Sequence, residues 1–259
     1  MTQRERRKYL IAALLKEQPQ YSKIEIPSDE QKQKALLRSL FNIRMPLPVT
    51  KEFLTVQDAY LQEETRQKRI TALSDLKPVQ NGLYLWCGDI TTLQCDGIVN
   101  AANSGMLGCF CPNHGCIDNA IHTFAGVQLR LVCAELMKQQ GHEEETGRAK
   151  ITPAYNLPSR FVLHTVGPII QGWLTKKDKE LLASCYRSCL ELAEQNELKS
   201  IAFCCISTGE FHFPNDKAAQ IAVETVKKYK EQTHSEIEVI FNVFKELDYN
   251  IYRELLRAD

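Results

Sequence analysis

The stretch NAANSGMLGCFCPNHGCIDNAIH, residues 100–122, carries the clearest information on fold and chemistry in the chain. Within it, Cys109, His114 and Cys116 form a C-x4-H-x-C cluster. Thiolates together with an imidazole are the ligands that Zn²⁺ selects over Mg²⁺ or Ca²⁺. Three protein ligands leave one tetrahedral position open, which is typical of a catalytic zinc site. The stretch therefore predicts zinc as a cofactor.

Two alternatives accompany this predicted zinc site. Cys111 could act as a fourth ligand and close the site, although Pro112 stiffens the loop directly after it and favours a side chain that turns away. The cysteines could instead be small buried hydrophobic residues beside an ordinary loop histidine. The glycines and the proline of the loop favour a backbone shaped around a ligand. The spacing matches neither a zinc finger nor the signature of the zinc nucleotide deaminases.

The composition is that of an ordinary globular protein of 259 residues, with 44% hydrophobic and 25% charged residues. The formal net charge is zero, which gives no overall basic field for nucleic acid. No stretch approaches the ~20 apolar residues of a membrane span, and the first residues lack the apolar core of a signal peptide. We therefore expect no nucleic-acid partner, no membrane association and a cytoplasmic location, where the ten cysteines remain thiols.

A break in composition divides the chain near residue 80. The first 81 residues contain neither glycine nor cysteine, whereas all 12 glycines and all ten cysteines follow. Upstream of the break, apolar residues recur at helical spacing. The apolar runs of the predicted helices span about residues 9–15, 35–43 and 56–70, and the second helix has Ser28 and Asp29 as its predicted N-cap and ends at the run MPLP, residues 45–48. We therefore predict a helical N-terminal extension, residues 1–80, that docks on a second domain, residues 81–259.

Downstream of the break, short apolar runs alternate with longer helical periods, which is typical of an α/β fold whose sheet is covered on both faces. The predicted strands span residues 83–87, 97–100, 149–152, 161–166, 201–207 and 237–244. The predicted helices span residues 117–124, 128–139, 179–195, 216–229 and 246–256. The nearly continuous apolar run at residues 201–206 favours a central strand that is buried on both faces.

Polar or glycine-containing segments follow four of these strands, at residues 88–91, 100–103, 164–168 and 207–211. In an open α/β sheet, ligands bind beyond the carboxyl ends of the strands. The coincidence of four such segments therefore predicts one binding crevice at this edge of the sheet.

Taken singly, the residues of this crevice allow more than one interpretation. The run Ser207-Thr208-Gly209 precedes a helix and forms either a phosphate seat or a plain turn. Asp89 could accept a hydrogen bond from an exocyclic amine or cap a turn. Asn103 offers both a donor and an acceptor to sugar hydroxyls. Asp118 is either a functional carboxylate or only the N-cap of the helix that follows it.

Four segments resemble the successive signatures of a macrodomain, the ADP-ribose-binding fold. They are GDI at residues 88–90, IVNAAN at 98–103, DNAIH at 118–122 and ISTG at 206–209. The resemblance covers about residues 80–259 and implies a three-layer α/β/α fold with a mixed, mostly parallel central sheet. Residues 108–116 resemble the metal-binding insert of the zinc-dependent bacterial and fungal subclass, which also carries an N-terminal helical extension.

The resemblance implies a hydrolase that removes mono-ADP-ribose from modified protein side chains. By its place in the motifs, Asp89 would contact adenine, with Ile90 and Ile117 as further ligand contacts. Asn103 would orient the distal ribose, and Asp118 would support the catalytic water or the ribose. The residues that would clamp the diphosphate are Ser207, Thr208, Gly209, Glu210 and Phe211.

The chain departs from the ordinary macrodomain pattern directly before Asp118, where the metal cluster replaces a run of glycines. Asp118 could therefore act as the general base, or zinc could take over that work. Zinc would act either by lowering the pKa of a bound water from ~16 toward ~7 or by holding the ribose as a Lewis acid. The subclass is associated with reversing modification by a partner sirtuin-type ADP-ribosyltransferase on a lipoyl-carrier protein of the glycine-cleavage H type.

Two other functions remain open at this point. The chain could be a non-catalytic reader that recognises ADP-ribose through the same loops, and its zinc would then be structural and need a fourth ligand. It could also sense oxidants, if oxidation of Cys109 or Cys116 expels the metal. His122 and His164 are expected to be packed near the crevice rather than catalytic.

Overall fold

Three helices form the N-terminal extension. The computed structural model describes residues 1–21 and 23–257. The helices are α1 at Gln3–Glu17, α2 at Glu30–Ile43 and α3 at Lys51–Gln67. Each begins after a side chain that accepts a backbone N–H of the first turn, and these capping residues are Thr2, Asp29 and Thr50. Helix α2 begins directly after Asp29, one of its two predicted N-cap residues, whereas α1 and α3 begin before the ranges that the apolar spacing predicts.

The apolar faces of these three helices pack against one another. Their buried residues include Leu10, Leu14, Leu37, Phe41, Phe53 and Leu61. Val127, from beyond the predicted domain boundary, belongs to the same cluster. Burial of each such side chain stabilises the fold by about 1.5–3 kcal/mol. The extension is therefore held by apolar packing that continues into the rest of the protein, and the boundary near residue 80 stays a prediction.

The remainder of the chain alternates strands with helices. The strands are β1 at Thr71–Ala72, β2 at Pro78–Gln80, β3 at Leu83–Cys87, β4 at Leu93–Gln94, β5 at Gly97–Ala102, β6 at Ala149–Pro153, β7 at Phe161–Val166, β8 at Ser200–Phe203 and β9 at Glu238–Val243. The helices are α4 at Ile117–Ala125, α5 at Val127–Gln140, α6 at Lys176–Gln195, α7 at Asn215–Thr233 and α8 at Glu246–Leu255.

Seven of the strands form one sheet in the order β2-β3-β9-β8-β5-β7-β6. The five central strands are parallel, and both edge strands are antiparallel to their neighbours. Helices α6, α7 and α8 pack side by side on one face, while α4 and α5 cover the other face. The mixed, mostly parallel α/β/α fold expected from the sequence is therefore confirmed. Within the described ranges, no helix is both long enough and apolar enough to cross a membrane.

Strand β8 is shorter than the strand predicted over residues 201–207, because it ends at Phe203. Ser207 has a φ of +66°, and its carbonyl accepts the N–H of Phe213 at 2.9 Å, so the chain turns at this point. Ile206 is fully buried although it lies outside the strand. Burial therefore extends the apolar pattern beyond the end of the strand. The pattern also misses β1, β2 and β4, which have only two or three residues.

Arg130 of α5 joins the extension to the loop that follows β5. Its Nε donates to the carbonyl of Leu107 at 2.6 Å. Its Nη1 donates to carbonyls at the C-terminal end of α2, those of Phe41, Asn42 and Arg44. Burial lowers the pKa of Arg130 to about 10, so the guanidinium stays charged near neutral pH. A buried cation thus satisfies the free carbonyls of a helix end.

Candidate active site

The three predicted zinc ligands lie together in residues 108–116, between β5 and α4, a segment that we call the metal-binding loop after this prediction. The ligand atoms of Cys109, His114 and Cys116 all lie within 4.8 Å of one another. Cys109 Sγ is 3.7 Å from His114 Nδ1. Zinc bonds to sulfur and nitrogen are about 2.3 and 2.0 Å long, so two thiols and an imidazole at these separations fit a tetrahedral ion. The residues present therefore suit the metal that the sequence predicts.

Cys111 lies outside this group of ligand atoms in the part of the chain that the structure describes, and its side chain is exposed. The backbone carbonyl of Cys111 stabilises the loop, because it accepts the backbone N–H of His114 at 3.3 Å and Nδ2 of Asn119 at 2.9 Å. The cluster thus offers three protein ligands within the described ranges, the number found in catalytic zinc sites.

Two residues shape the metal-binding loop at its ends. Gly108 has a φ of +80°, and a Cβ there would lie 2.7 Å from the ring of His122, so only glycine fits. Cys116 Sγ accepts the N–H of Asn119 at 3.4 Å and caps α4, a position that the sequence also allowed for Asp118. Burial raises the pKa of the Cys116 thiol to about 12. Coordination to a cation would favour the thiolate instead.

Asp118 lies in the first turn of α4 and is buried beside the end of β5. Its Oδ1 accepts Nδ2 of Asn100 at 2.8 Å, and its Oδ2 accepts Nδ2 of Asn103 at 3.3 Å. Burial raises the pKa of Asp118 to about 6, although Asn100, Arg130 and Asn103 act in the opposite direction. The carboxyl group can therefore exchange a proton near neutral pH, as a general acid or base must.

The side chain of Asn103 connects this carboxylate to the start of the metal-binding loop. Its Nδ2 donates to the carbonyl of Gly108 at 3.2 Å as well as to Asp118. Its Oδ1 accepts the N–H of Gly105 at 3.1 Å. The structure thus brings the two residues expected to be catalytic into contact, while their roles stay predictions.

His122 and His164 are both buried, as the sequence predicts. Nδ1 of His164 lies 3.2 Å from Asn100 Nδ2, and its Nε2 lies 3.0 Å from Thr152 Oγ1. Nε2 of His122 lies 3.6 Å from Asp118 Oδ1. Burial lowers the pKa of His164 to about 4 and that of His122 well below its ordinary value. Both rings are therefore neutral at physiological pH and pack behind Asp118.

The loop after β8 carries the residues predicted to bind a diphosphate. Ser207 is buried, and a Cβ at Gly167 would lie 2.0 Å from its Oγ, so this close approach of two loops requires glycine. Thr208 Oγ1 donates to the carbonyl of Cys205 at 3.0 Å. A Cβ at Gly209 would meet no atom of the described residues within 4 Å. The loop is thus fixed at its base and open at Gly209.

Glu210 and Phe211 connect this loop to its neighbours. The carbonyl of Phe211 accepts the N–H of Ile170 at 2.9 Å. Glu210 Oε1 lies 3.5 Å from His114 Nε2. A carboxylate on the second ring nitrogen fixes the orientation of a metal-binding histidine. The predicted diphosphate loop and the metal-binding loop therefore share a contact.

Asp89 lies at the far end of the crevice, after β3, which is three strand positions from β5. Its Oδ1 accepts the N–H and the hydroxyl of Thr91, so Asp89 caps this turn, while its contact with adenine stays a prediction. Its Oδ2 accepts Nζ of Lys68 at 3.1 Å. Burial alone would raise the pKa of Asp89, but Thr91 and Lys68 lower it below its ordinary value. The adjoining cleft has a volume of about 660 Å³, and its walls include Arg69, Trp86, Asp89 and Thr92.

The two isoleucines expected to contact the ligand lie at the large apolar core around the seven-stranded sheet. Ile90 is buried within it, and Ile117 packs against it while half-buried. Their side chains are therefore positioned by apolar packing at either end of the crevice.

Two residues at the Asp89 end are not among the predicted site residues. Lys68 follows α3, and its Nζ lies 3.5 Å from the centre of the Phe124 ring as well as next to Asp89. Phe244 follows β9, the strand paired with β3, and is 76% exposed. An exposed aromatic face beside this strand end can stack on a base. Phe244 could have been found from the sequence, because it is an aromatic residue at the end of a predicted buried strand. Lys68 could not, because no neighbouring residue in the sequence indicates its contact with Asp89.

Comparison with known proteins shows which family the chain resembles. The macro domain family model matches residues 99–222. A protein-ADP-ribose hydrolase of Treponema medium is 62% identical over 260 residues, covering 99% of this chain and 100% of that protein. A protein-ADP-ribose hydrolase of Staphylococcus aureus (strain MSSA476) is 50% identical over 256 residues, covering 98% of this chain and 96% of that protein.

A solved structure, the Trypanosoma brucei macrodomain in complex with ADP-ribose, has a TM-score of 0.67 to this chain. It is 31% identical and covers 85% of this chain and 94% of its own length. The chain therefore belongs to the macro domain family. Its similarity to the two curated hydrolases extends through the N-terminal extension, since the alignments cover nearly every residue.

Proposed function

We propose that this protein is a zinc-dependent hydrolase that removes mono-ADP-ribose from modified protein side chains. The observation that carries the proposal is the 3.3 Å contact of Asn103 with Asp118 at the two ends of a loop that gathers Cys109, His114 and Cys116. A carboxyl group whose pKa is raised, an amide with donors and acceptors, and three soft metal ligands thus lie in one site. The names of the two full-length relatives support the same activity.

The reaction is attack of water at the anomeric carbon of the distal ribose, or at the ester carbonyl if the modified side chain is a carboxylate. The bond between ribose and side chain breaks, and the water oxygen stays on the carbon that it attacks. One proton of the water goes to the leaving group. Asn103 holds ribose hydroxyls in place, and Asp118 accepts the proton from water or supports the ribose.

The zinc ion would be held by Cys109, His114 and Cys116, with Glu210 fixing the orientation of the histidine. When bound, zinc supplies Lewis-acid chemistry to this site. A reducing compartment such as the cytoplasm keeps both cysteines as thiols that can bind it.

The remainder of ADP-ribose would extend along the carboxyl ends of the strands. Asp89 would accept the exocyclic amine of adenine, with Ile90 and Ile117 as apolar contacts. The diphosphate would lie against the loop at residues 207–211, where Gly209 leaves space and backbone N–H groups precede α7.

We extend the proposal to the substrate on the basis of the resemblance to the zinc-dependent subclass. The modified protein would be a lipoyl-carrier protein of the glycine-cleavage H type, and a sirtuin-type ADP-ribosyltransferase would install the modification that this hydrolase removes.

The proposal is tested by release of ADP-ribose from an aspartate-modified carrier protein. Zinc-loaded protein is expected to release it, whereas chelator-treated protein and the Cys116→Ala variant are not. Cys111→Ala is the matched control, because Cys111 is in the same loop but outside the cluster. Release that survives both metal removal and Cys116→Ala would contradict zinc dependence. Tight binding of ADP-ribose without any release would instead identify a reader.

A further inference from the structure

A polar face of α2 contacts the metal-binding loop. Arg38 donates from Nη2 to the carbonyl of His114 at 3.0 Å. The same guanidinium holds the side-chain oxygen of Asn119, from Nε at 3.1 Å and from Nη2 at 2.8 Å. Asn119 in turn donates its backbone N–H to Cys116 Sγ at 3.4 Å. One guanidinium thus contacts one metal ligand directly and reaches a second through a single residue.

Ser39 and Asn42, on the same face of α2, hold the residue that precedes His114. Asn113 donates its backbone N–H to Asn42 Oδ1 at 2.9 Å and its Nδ2 to Ser39 Oγ at 2.6 Å. Asn113 has a φ of +54°, a left-handed conformation that costs free energy in any residue with a side chain. The two hydrogen bonds therefore stabilise the turn that presents the imidazole.

Helix α2 is itself fixed against α5 by Arg130. Arg130 binds the carbonyls at its C-terminal end and also the carbonyl of Leu107, directly before the metal-binding loop. On the other side, Leu37 and Leu40 are buried in the apolar cluster of the extension. The helix cannot shift without breaking these contacts, so its polar face is a rigid support for the loop.

We propose that α2 positions the metal ligands and that Arg38 is the main positioning residue, assisted by Ser39 and Asn42. The inference rests on the proposed zinc site. A loop held in this way presents its ligands before the metal arrives, so zinc binding does not have to order the loop. The N-terminal extension is therefore part of the metal site and not only a cover for the sheet.

The test measures zinc affinity of the full-length chain by competition with a chromogenic chelator, together with the unfolding temperature. Loss of an outer hydrogen-bond partner lowers metal affinity by about 10- to 100-fold, and this is the loss expected for Arg38→Ala. Arg38→Lys keeps the charge but not the forked contact and is expected to lose affinity in the same direction. Arg6→Ala is the matched control, because Arg6 is also half-buried and contacts Gln3 of its own helix.

A second control separates positioning from general destabilisation. Arg7 is buried within the extension and contacts Gln33 and Glu30, so Arg7→Ala weakens the extension without removing a contact to the loop. Equal losses of zinc affinity in Arg7→Ala and Arg38→Ala would overturn the positioning role of Arg38, because Arg7 contacts α2 but not the metal-binding loop. Wild-type affinity in Arg38→Ala would also overturn it while leaving the zinc site intact. A wild-type chain that binds no zinc would overturn the proposed metal site and this inference together.

Discussion

Nδ2 of Asn103 donates to Oδ2 of Asp118 at 3.3 Å, and this contact joins the end of β5 to the first turn of α4. The two residues are 15 positions apart, and the metal-binding loop lies between them in the chain. The other carboxylate oxygen accepts Nδ2 of Asn100. Both oxygens therefore have a donor although the carboxyl group is buried, and the geometry of the candidate catalytic group is set from two sides.

The Asp118→Asn variant is expected to lose activity and some stability. An asparagine has one acceptor oxygen, so one of the amide donors of Asn100 and Asn103 would face another donor, which costs about 1–3 kcal/mol. Loss of the proton-exchanging group is expected to slow ADP-ribose release by about 100- to 10,000-fold. Initial rates and urea unfolding measure the two effects. A rate within a few-fold of wild type would contradict a catalytic role for Asp118.

The Cys116→Ala variant is expected to lose zinc, because two ligands cannot hold the ion as three do. The loss of affinity is expected to exceed the roughly 10- to 100-fold that follows removal of an outer hydrogen-bond partner. Elemental analysis after dialysis gives the zinc content, and Cys111→Ala is expected to keep it. If Cys111→Ala loses zinc equally, Cys111 is a ligand and the open coordination position does not exist.

The Asp89→Ala variant is expected to bind ADP-ribose more weakly and to lose selectivity for adenine. A hydrogen bond to a charged group contributes about 1.5–3 kcal/mol, or roughly 10- to 100-fold in affinity. Calorimetry with ADP-ribose and with its hypoxanthine analogue, which lacks the exocyclic amine, measures this selectivity in wild type and variant. Equal affinity of the wild-type protein for both ligands would contradict the role of Asp89.

The Gly167→Ala variant is expected to be less stable than wild type by about 1–3 kcal/mol, because the new Cβ would overlap Ser207 Oγ and force one of two packed loops to move. Gly209→Ala is the control, since that methyl group would enter open space within the described structure. Chemical unfolding compares the two. Equal unfolding free energies would show that the loops relax around the added methyl group.

Asp96 is expected to stabilise the fold in a pH-dependent way. It accepts backbone N–H groups of Lys199 and Ser200 at 2.7 and 3.1 Å and pairs with Arg160 at 3.0 Å. Burial alone would raise the pKa of Asp96, but these donors lower it below its ordinary value. The stabilisation is therefore complete above the unfolded pKa of about 3.9 and is lost as the pH falls through the lower folded pKa.

The Asp96→Asn variant tests this dependence. Its unfolding free energy is expected to fall by about 1–3 kcal/mol at pH 7, because charged hydrogen bonds are lost. The difference in unfolding free energy between wild type and variant is expected to shrink between pH 4 and pH 2, because the Asp96 carboxylate of the wild type becomes protonated there. A difference that stays constant over this range would contradict the pKa shift.

Much of the α/β part of the chain, after the N-terminal extension, follows from local sequence. The strands β3, β5, β6, β7 and β9 and all five of its long helices lie where apolar periodicity predicts them. Periodicity is a local property, so it survives in the sequence wherever one face of an element is buried. It fails at residues 204–207, which are as apolar as a strand but turn away after Phe203. Apolar composition reports burial, and burial does not require a strand.

The sequence by itself predicted the fold class, which the structure confirms, and the candidate ligands Cys109, His114 and Cys116, which it places together, because both depend on residues close together in the chain. Only the tertiary structure decided which groups support the site. Arg38 reaches the carbonyl of His114 from 76 positions away, and Lys68 reaches Asp89 from 21. Such contacts join side chains on separate elements and leave no periodic trace in the sequence. They form only once apolar packing has placed the extension against the metal-binding loop.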